Sequence, residues 1–308
     1  MSTMTIETDV LVVGSGPAGL STAVGLASHG VDHIVITKYQ WTANTPRAHI
    51  TNQGAMEIFR DFGVEKDVLE KAVPHELMGD TVFCTSLTGE EIGRIHTWGT
   101  HPLREADYTL SSPTQNCDIP QNLLEPILLT RAAKLGSKVR FNTEFISFVQ
   151  DATGVTTTVL DRISGTEYTI RSKYLVGADG GRSKVAEQAQ LPMEGQMDIA
   201  GSMNIVFKAD LSQYVAHRPS VLYWVLQPGS TIGGIGLGLV RMVRPWDEWL
   251  IVWGYDISQP APEVTDEMAI SLVRNLVGEP ELEVKIESTS VWGNNKMYAT
   301  KMNNGRVY

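Results

Sequence analysis

The chain has little with which to cross-link, span a membrane or grip a polyanion over a broad surface. Only two cysteines occur in 308 residues, Cys84 and Cys117, and their spacing makes neither a metal-binding nor a redox motif. No secretory segment precedes them. The opening MSTMTIETD is polar, runs straight into an apolar strand, and reads as neither signal peptide nor anchor. Reduced thiols in a cytoplasmic protein are the expectation. No apolar run approaches the length of about 18 residues that a membrane-spanning helix needs. Basic clusters are missing too. Acids outnumber bases 35 to 25, for a formal charge of −10, which speaks against nucleic acid as a partner and for a soluble surface. No internal repeat or low-complexity tract breaks the pattern. What is plentiful is apolar material, 42% of residues, enough for one large or two medium domains.

The stretch VLVVGSGPAGLSTAVGL carries Gly14, Gly16 and Gly19 at G-x-G-x-x-G spacing. An apolar run, Val10 to Val13, precedes it, and a small-residue segment, Ala18 to Ala27, follows. That is the order strand, tight turn, helix. Gly14 permits the turn, Gly16 lets backbone approach a pyrophosphate, and Gly19 lets helix and strand pack closely. The phosphates then sit at the positive end of the helix. A carboxylate is expected about 20 residues on to grip ribose hydroxyls. The second strand, His33 to Thr37, ends instead in Thr37 and Lys38. A hydroxyl beside a cation suits a 2′-phosphate and hence NADP. Equally, the ligand is FAD with its ribose held differently. The motif alone leaves both open.

Residues 9–37 read as a βαβ unit whose helix stops at Gly30. Residues 52–73 show helical periodicity through Met56, Phe59, Phe62, Val64, Val68, Leu69 and Ala72. From Thr81 to Leu110 the pattern reads as short strands with turns such as Leu87-Thr88-Gly89. Asp118 and Gln121 have capping-box spacing before a helix whose apolar face is Leu124, Ile127, Leu128, Ala132 and Leu135, ending at Gly136. Pro126 inside it is expected to kink the helix or free a carbonyl. Strands follow at about 138–150, 154–160 and 166–178, with a turn at Ser164-Gly165. The tail reads as strands at 203–208, 221–227, 235–243, 249–255 and 283–292, interrupted by one clear helix, Asp266 to Leu276, with Thr265 as N-cap. Five of the seven tryptophans lie in this second part. They are either core and sheet formers or the lining of an aromatic pocket.

Two further stretches bear on the ligand. In Tyr174-Leu175-Val176-Gly177-Ala178-Asp179-Gly180-Gly181-Arg182-Ser183 an apolar strand delivers Asp179 to a glycine turn, with a helical segment from Ser183 to Ala189. Asp-Gly alone is an ordinary turn; the added glycine and arginine suggest backbone approaching a polyanion. In Thr45-Pro46-Arg47-Ala48-His49-Ile50-Thr51-Asn52-Gln53 an arginine and a histidine sit between a proline and a helix start. His49 lies two residues from Arg47 and is expected to face the same cleft. Its imidazole is suited to steering or deprotonating an acidic hydroxyl; a histidine bonded within its own loop is the other reading.

Taken together these motifs resemble the single-component, class A FAD-dependent aromatic hydroxylases of the phenol hydroxylase-like kind, over the whole chain. The resemblance implies a mixed α/β fold: a Rossmann-like FAD-binding domain of the glutathione reductase and p-hydroxybenzoate hydroxylase type, with an antiparallel-sheet substrate domain. The expected division gives the FAD-binding domain residues 1–80 and 111–190. The substrate domain takes strands in 81–110 and the sheet in 191–300, and 301–308 return to the FAD domain. It favours FAD over NADP at the glycine turn. Gly14, Gly16 and Gly19 are then expected to hold the pyrophosphate, Arg47 to reach the same phosphates, and Gln121 to contact the flavin side chain. Asp179 and Gly180 belong to a motif linked to FAD and NADPH, and Lys38 is placed near the adenosine. The implied reaction is ortho-hydroxylation of a phenol, chlorinated or not, to a catechol. NADPH is co-substrate, and O2 is carried as a flavin hydroperoxide. A halogenase or a reductase on the same fold is the alternative, although the halogenase W-x-W-x-I-P motif is missing. The family continues after a G-R-V-Y strand into a Gly-Asp motif, a long helical segment and a thioredoxin-like domain. Here the chain stops at Gly305-Arg306-Val307-Tyr308. The expectation is therefore a truncated chain that holds FAD weakly, lacks hydroxylase activity alone and forms a homo-oligomer when complete. An inactive nucleotide-binding fragment is the remaining reading.

Overall fold

The computed structural model describes residues 5–227 and 237–308. Its strands fall into two large sheets. The first has six strands in the spatial order Lys138–Arg140, His33–Ile36, Thr5–Val13, Thr166–Gly177, Val155–Asp161, Thr143–Gln150. Thr5–Val13 runs parallel to both its neighbours, and Lys138–Arg140 is parallel to His33–Ile36. The last two strands form an antiparallel meander. The centre of the parallel sheet is buried: His33–Ile36 at every residue, and Val10–Val13 likewise. That is what a sheet covered on both faces requires. The helix Pro17–Ser28 connects the first two strands as expected, and Gly30 ends it at φ 70°.

The second sheet has seven strands, in the order Lys285–Ala299, Met193–Lys208, Glu248–Tyr255, Leu237–Arg244, Leu222–Leu226, Asp80–Cys84, Glu91–His96. It is not wholly antiparallel, because Leu222–Leu226 pairs parallel with Asp80–Cys84, a strand delivered from the far side of the chain. Two strands are longer than their apolar content predicts. Met193–Lys208 and Lys285–Ala299 begin or end in polar, exposed ribbon, where pairing with each other replaces burial as the stabilising term. Of the expected strand 235–243, residues 235 and 236 lie outside the described residues. Trp249 and Trp253 are fully buried in this sheet's core with Phe207 and Tyr223, so two of the tail's tryptophans are core residues. The helix Asp266–Val277 covers that core, with the Thr265 side chain accepting from the Met268 amide as its N-cap.

Two expectations need correction, the strands of 81–110 and the capping box. The span 81–110 is not strand throughout, since Glu105–Ser111 is a helix. Its first turn carries Glu105 and Asp107, which suits the helix dipole, and none of its residues is buried. The helical periodicity of 52–73 is borne out, as two helices, Gln53–Asp61 and Glu65–Lys71, separated at Gly63 with φ 71°. The capping box does not form. The helix Gln121–Lys134 starts after Pro120 with no side-chain cap, and the Gln121 amide donates to the Arg47 carbonyl at 2.9 Å instead. Asp118 lies in a two-stranded ribbon, Ile50–Thr51 with Cys117–Asp118, and its carboxylate turns to a buried arginine. Pro126 sits inside a helix that runs on past it.

Both cysteines are buried and free. Burial pushes the Cys84 thiol up to about 11 and the Cys117 thiol up to about 12. A thiolate is the reactive form, so neither is expected to react with a maleimide in native protein at pH 7.5. Both should label once the chain is unfolded in guanidinium. Native labelling of either would contradict the packing around it.

Candidate FAD site and the buried histidine beside it

The glycine turn separates into two kinds of position. At Gly14, φ is 109°, and a Cβ would fall 2.1 Å from the Ala178 carbonyl oxygen. At Gly19 a Cβ would fall 2.0 Å from the Gly14 carbonyl oxygen. These two glycines exist because backbone occupies the space. Gly16 differs: its Cβ would meet nothing closer than a Glu125 carboxylate oxygen at 3.8 Å. Gly16 is also the N-cap of Pro17–Ser28, with no side-chain cap and no acid in the first turn. An open approach to uncapped amides at a helix N-terminus is what a pyrophosphate requires.

The Asp-Gly turn packs directly against this one. The Ala178 amide donates to the Val13 carbonyl at 2.7 Å. The Asp179 carboxylate is engaged within its own turn, accepting from the Ser183 hydroxyl at 2.5 Å and the Lys184 amide at 2.8 Å. It therefore shapes the loop, leaving Gly180 exposed at φ 90° with open space around its Cα. Arg182 reaches across to Asp198 of the second sheet at 2.8 Å. The last residues of the chain pair alongside: the Gly177 amide donates to the Tyr308 carbonyl at 2.7 Å, and Val307 is fully buried.

Arg47 is exposed, with its Nε donating to Thr45 at 3.1 Å, and its carbonyl carries the Gln121 amide as described. These two residues are thus side by side. Thr37, at the expected carboxylate position, is buried and tied by backbone hydrogen bonds to Arg140 and Thr143. Lys38 is exposed, its Nζ lying 5.4 Å from the Tyr39 ring centroid.

Arg47 and His49 do not share an environment. Ala48 between them has φ 41°, a left-handed conformation that costs a non-glycine residue about 1–2 kcal/mol. That twist breaks strand alternation, so Arg47 points to solvent while His49 is only 4% exposed. Nor is His49 bonded within its own loop. Its Nδ1 lies 3.4 Å from an Asp118 oxygen, an electrostatic contact longer than a good hydrogen bond, and among the described residues neither ring nitrogen, Nδ1 or Nε2, has a hydrogen-bond partner. Burial holds its pKa below the ordinary value, with Arg241 adding to that effect and Asp118 opposing it. On the outer side of the ribbon a cavity of about 200 Å³ is lined by Gln53, Trp98, Tyr108 and Asn116 among others.

Three polar residues of this region escaped the sequence reading. Glu125 is 3% exposed, accepts from the Gln121 side-chain amide and the Ala43 amide, and stands next to Gly16. Its signal was an acid inside the apolar run Leu123-Leu124-Glu125-Pro126-Ile127. Arg241 was a lone cation inside Leu237-Gly238-Leu239-Val240-Arg241-Met242-Val243. Asp118 was seen only as a cap.

Known proteins share both sequence and fold with this chain. It is 57% identical over 303 residues to a 2,4-dichlorophenol 6-monooxygenase of Delftia acidovorans, covering 98% of this chain and 52% of that protein. It is 57% identical over 307 residues to a phenol 2-monooxygenase of a Pseudomonas species, covering 99% of this chain and 48% of that one. The chain thus spans about half the length of these relatives. In structure it matches the flavin-dependent monooxygenase PieE, solved in complex with FAD and substrate, at a TM-score of 0.93 and 40% identity. That match covers 98% of this chain and 52% of the other. The model of the FAD binding domain family matches residues 7–308, and the chain belongs to that family.

Proposed function

We propose that this chain is the FAD- and phenol-binding part of an NADPH-dependent phenol monooxygenase that converts a phenol, chlorinated or not, to a catechol with O2. The observation that carries the reading is the open, uncapped helix start at Gly16, in a chain 57% identical to two phenol monooxygenases. In this reading the first sheet and its helices, residues 1–80 and 111–190, are the FAD-binding domain, and 191–300 with strands from 81–110 form the substrate domain.

The residues present fit FAD. Gly14 and Gly19 build the turn, Gly16 leaves the approach clear, and the amides that begin Pro17–Ser28 point at the phosphates. Arg47 neutralises pyrophosphate charge, Gln121 contacts the flavin side chain, Lys38 lies toward the adenosine, and Asp179 with Gly180 shapes the neighbouring turn. Bound FAD, reduced by NADPH, supplies the activation of O2. The chain's own part is to orient the phenol, exclude water and take up a proton. His49 accepts the phenol proton at Nε2, which raises electron density on the ring carbon ortho to the oxygen. The halogenase and reductase readings gain nothing from these residues.

Removing Arg47 tests the FAD seat. In Arg47→Ala, FAD binding is expected to weaken by roughly 1.5–3 kcal/mol, the range for hydrogen bonds to charged groups, or about 10- to 150-fold. Titration of the chain with FAD, followed by flavin fluorescence, reads this directly. Unchanged affinity would return Arg47 to the class of ordinary surface cations. In the chain joined to the part of a phenol monooxygenase relative that it does not match, His49→Ala is expected to lower phenol turnover at least about 100-fold, the lower end for a lost general base, with FAD content intact. Unaltered turnover and pH profile would remove His49 from the chemistry.

A further inference from the structure

His49, Asp118 and Arg241 come from three separate stretches and meet in the interior. His49 is held by the opposite side of the ribbon, its carbonyl accepting from the Ile119 amide at 2.9 Å. Asp118 is fully buried on the ribbon, and its backbone carbonyl takes the Val73 amide at 2.8 Å. Arg241 comes from the strand Leu237–Arg244 of the other sheet and reaches both Asp118 oxygens through one nitrogen, at 3.0 Å each. A buried carboxylate and guanidinium joined this way cost the fold more than two apolar groups of the same volume. Their placement therefore calls for a reason other than stability.

That reason lies in what each does to the imidazole. Asp118 Oδ1 is the acceptor facing His49 Nδ1, so a proton on the ring is best placed there. A bare Asp118 would also favour a second ring proton. Arg241 cancels that pull by occupying both carboxylate oxygens. These two are the charged groups that act on the ring, one from the ribbon and one from the second sheet. Among the described residues no donor reaches the buried Nε2 lone pair, and such an atom favours a ligand that brings one.

We propose that Asp118 and Arg241 are positioning residues that hold His49 with Nδ1–H toward Asp118 and Nε2 bare as an acceptor. The use made of the bare Nε2 rests on the phenol reading above, but the tautomer itself is measured without turnover. Uniformly 15N-labelled chain at pH 7, examined by long-range proton–nitrogen correlation, gives a distinct pattern for each ring form; His49→Gln identifies the His49 signals. The expected pattern is a neutral ring protonated at Nδ1. In the double variant Asp118→Asn with Arg241→Met both charges are removed together, so that no charge is left buried alone. There the Nδ1–H preference is expected to be lost, with both tautomers populated or the Nε2–H form dominant. An Nε2–H or doubly protonated ring in the unaltered chain would overturn the proposal, as would an unchanged His49 pattern in the double variant. Should the Nδ1–H pattern appear while His49→Gln turns over phenol normally, the positioning stands and the proton-acceptor reading fails.

Discussion

Gly14→Ala and Gly19→Ala are each expected to prevent stable folding, whereas Gly16→Ala should fold as the unaltered chain does and lose FAD. The three glycines belong to one motif, so a role shared equally among them would make the three substitutions alike. The structure makes them unlike. A Cβ at Gly14 would lie 2.1 Å, and at Gly19 2.0 Å, from backbone carbonyl oxygens, far inside contact distance. Those carbonyls belong to Ala178 and Gly14 themselves, just past the ends of two paired strands, and neither can swing aside as a flexible side chain would. Gly14 also needs φ 109°, which an alanine adopts only under strain. The loss should reach about 4 kcal/mol or more, the upper end for single substitutions. At Gly16 the space is open and φ is −72°, a value any residue adopts, so alanine adds only a methyl in the path of a phosphate. Circular dichroism with thermal melting, beside FAD titration, separates the outcomes. A Gly16→Ala chain that binds FAD normally, or a Gly14→Ala chain that melts like the parent, would contradict the division.

Arg241→Met alone should destabilise the fold by about 3–5 kcal/mol, because it strands the Asp118 carboxylate in the interior. The double variant with Asp118→Asn should recover most of that loss. The pH dependence carries its own sign. The folded pKa of His49 is lowered, so on acidification the unfolded chain takes its proton first. Its contribution is complete above about pH 6.5 and is lost as pH falls below that value, with a slope of up to about 1.36 kcal/mol per pH unit. In Arg241→Met the opposition to ring protonation is gone, and His49 charges beside Asp118, so this slope should flatten. Urea unfolding between pH 5 and 7 measures both effects. A single variant as stable as the parent would mean that Arg241 is not the counter-charge of Asp118.

The parts of the fold legible in the sequence were those set by local rules. The glycine turn with its strand and helix, the helix stop at Gly30 and the Thr265 cap follow from backbone sterics and nearby donors, and all appear at their expected places. What failed was decided at a distance. Asp118 and Gln121 have the spacing of a local cap, but a guanidinium 123 residues further along the chain wins the carboxylate. The same Gln121 amide is satisfied instead by the Arg47 carbonyl. His49 stands two residues from Arg47, and with one left-handed alanine between them the first is buried and the second exposed. Glu125 and Arg241 were visible only as charges inside apolar runs. Sequence marks such residues as anomalous but does not say what they meet.

The central claim is that residues of this chain seat FAD and a phenol for ring oxygenation. The most direct test joins the chain after Tyr308 to the part of the Delftia acidovorans relative that it does not match, and supplies FAD, NADPH and phenol under 18O2. Mass spectrometry of the product decides. The expectation is catechol carrying one 18O atom, formed with about one NADPH consumed per product and lost in Gly16→Ala. Protein that holds FAD and oxidises NADPH while yielding no labelled catechol from any phenol in a chlorinated and unchlorinated panel would contradict it.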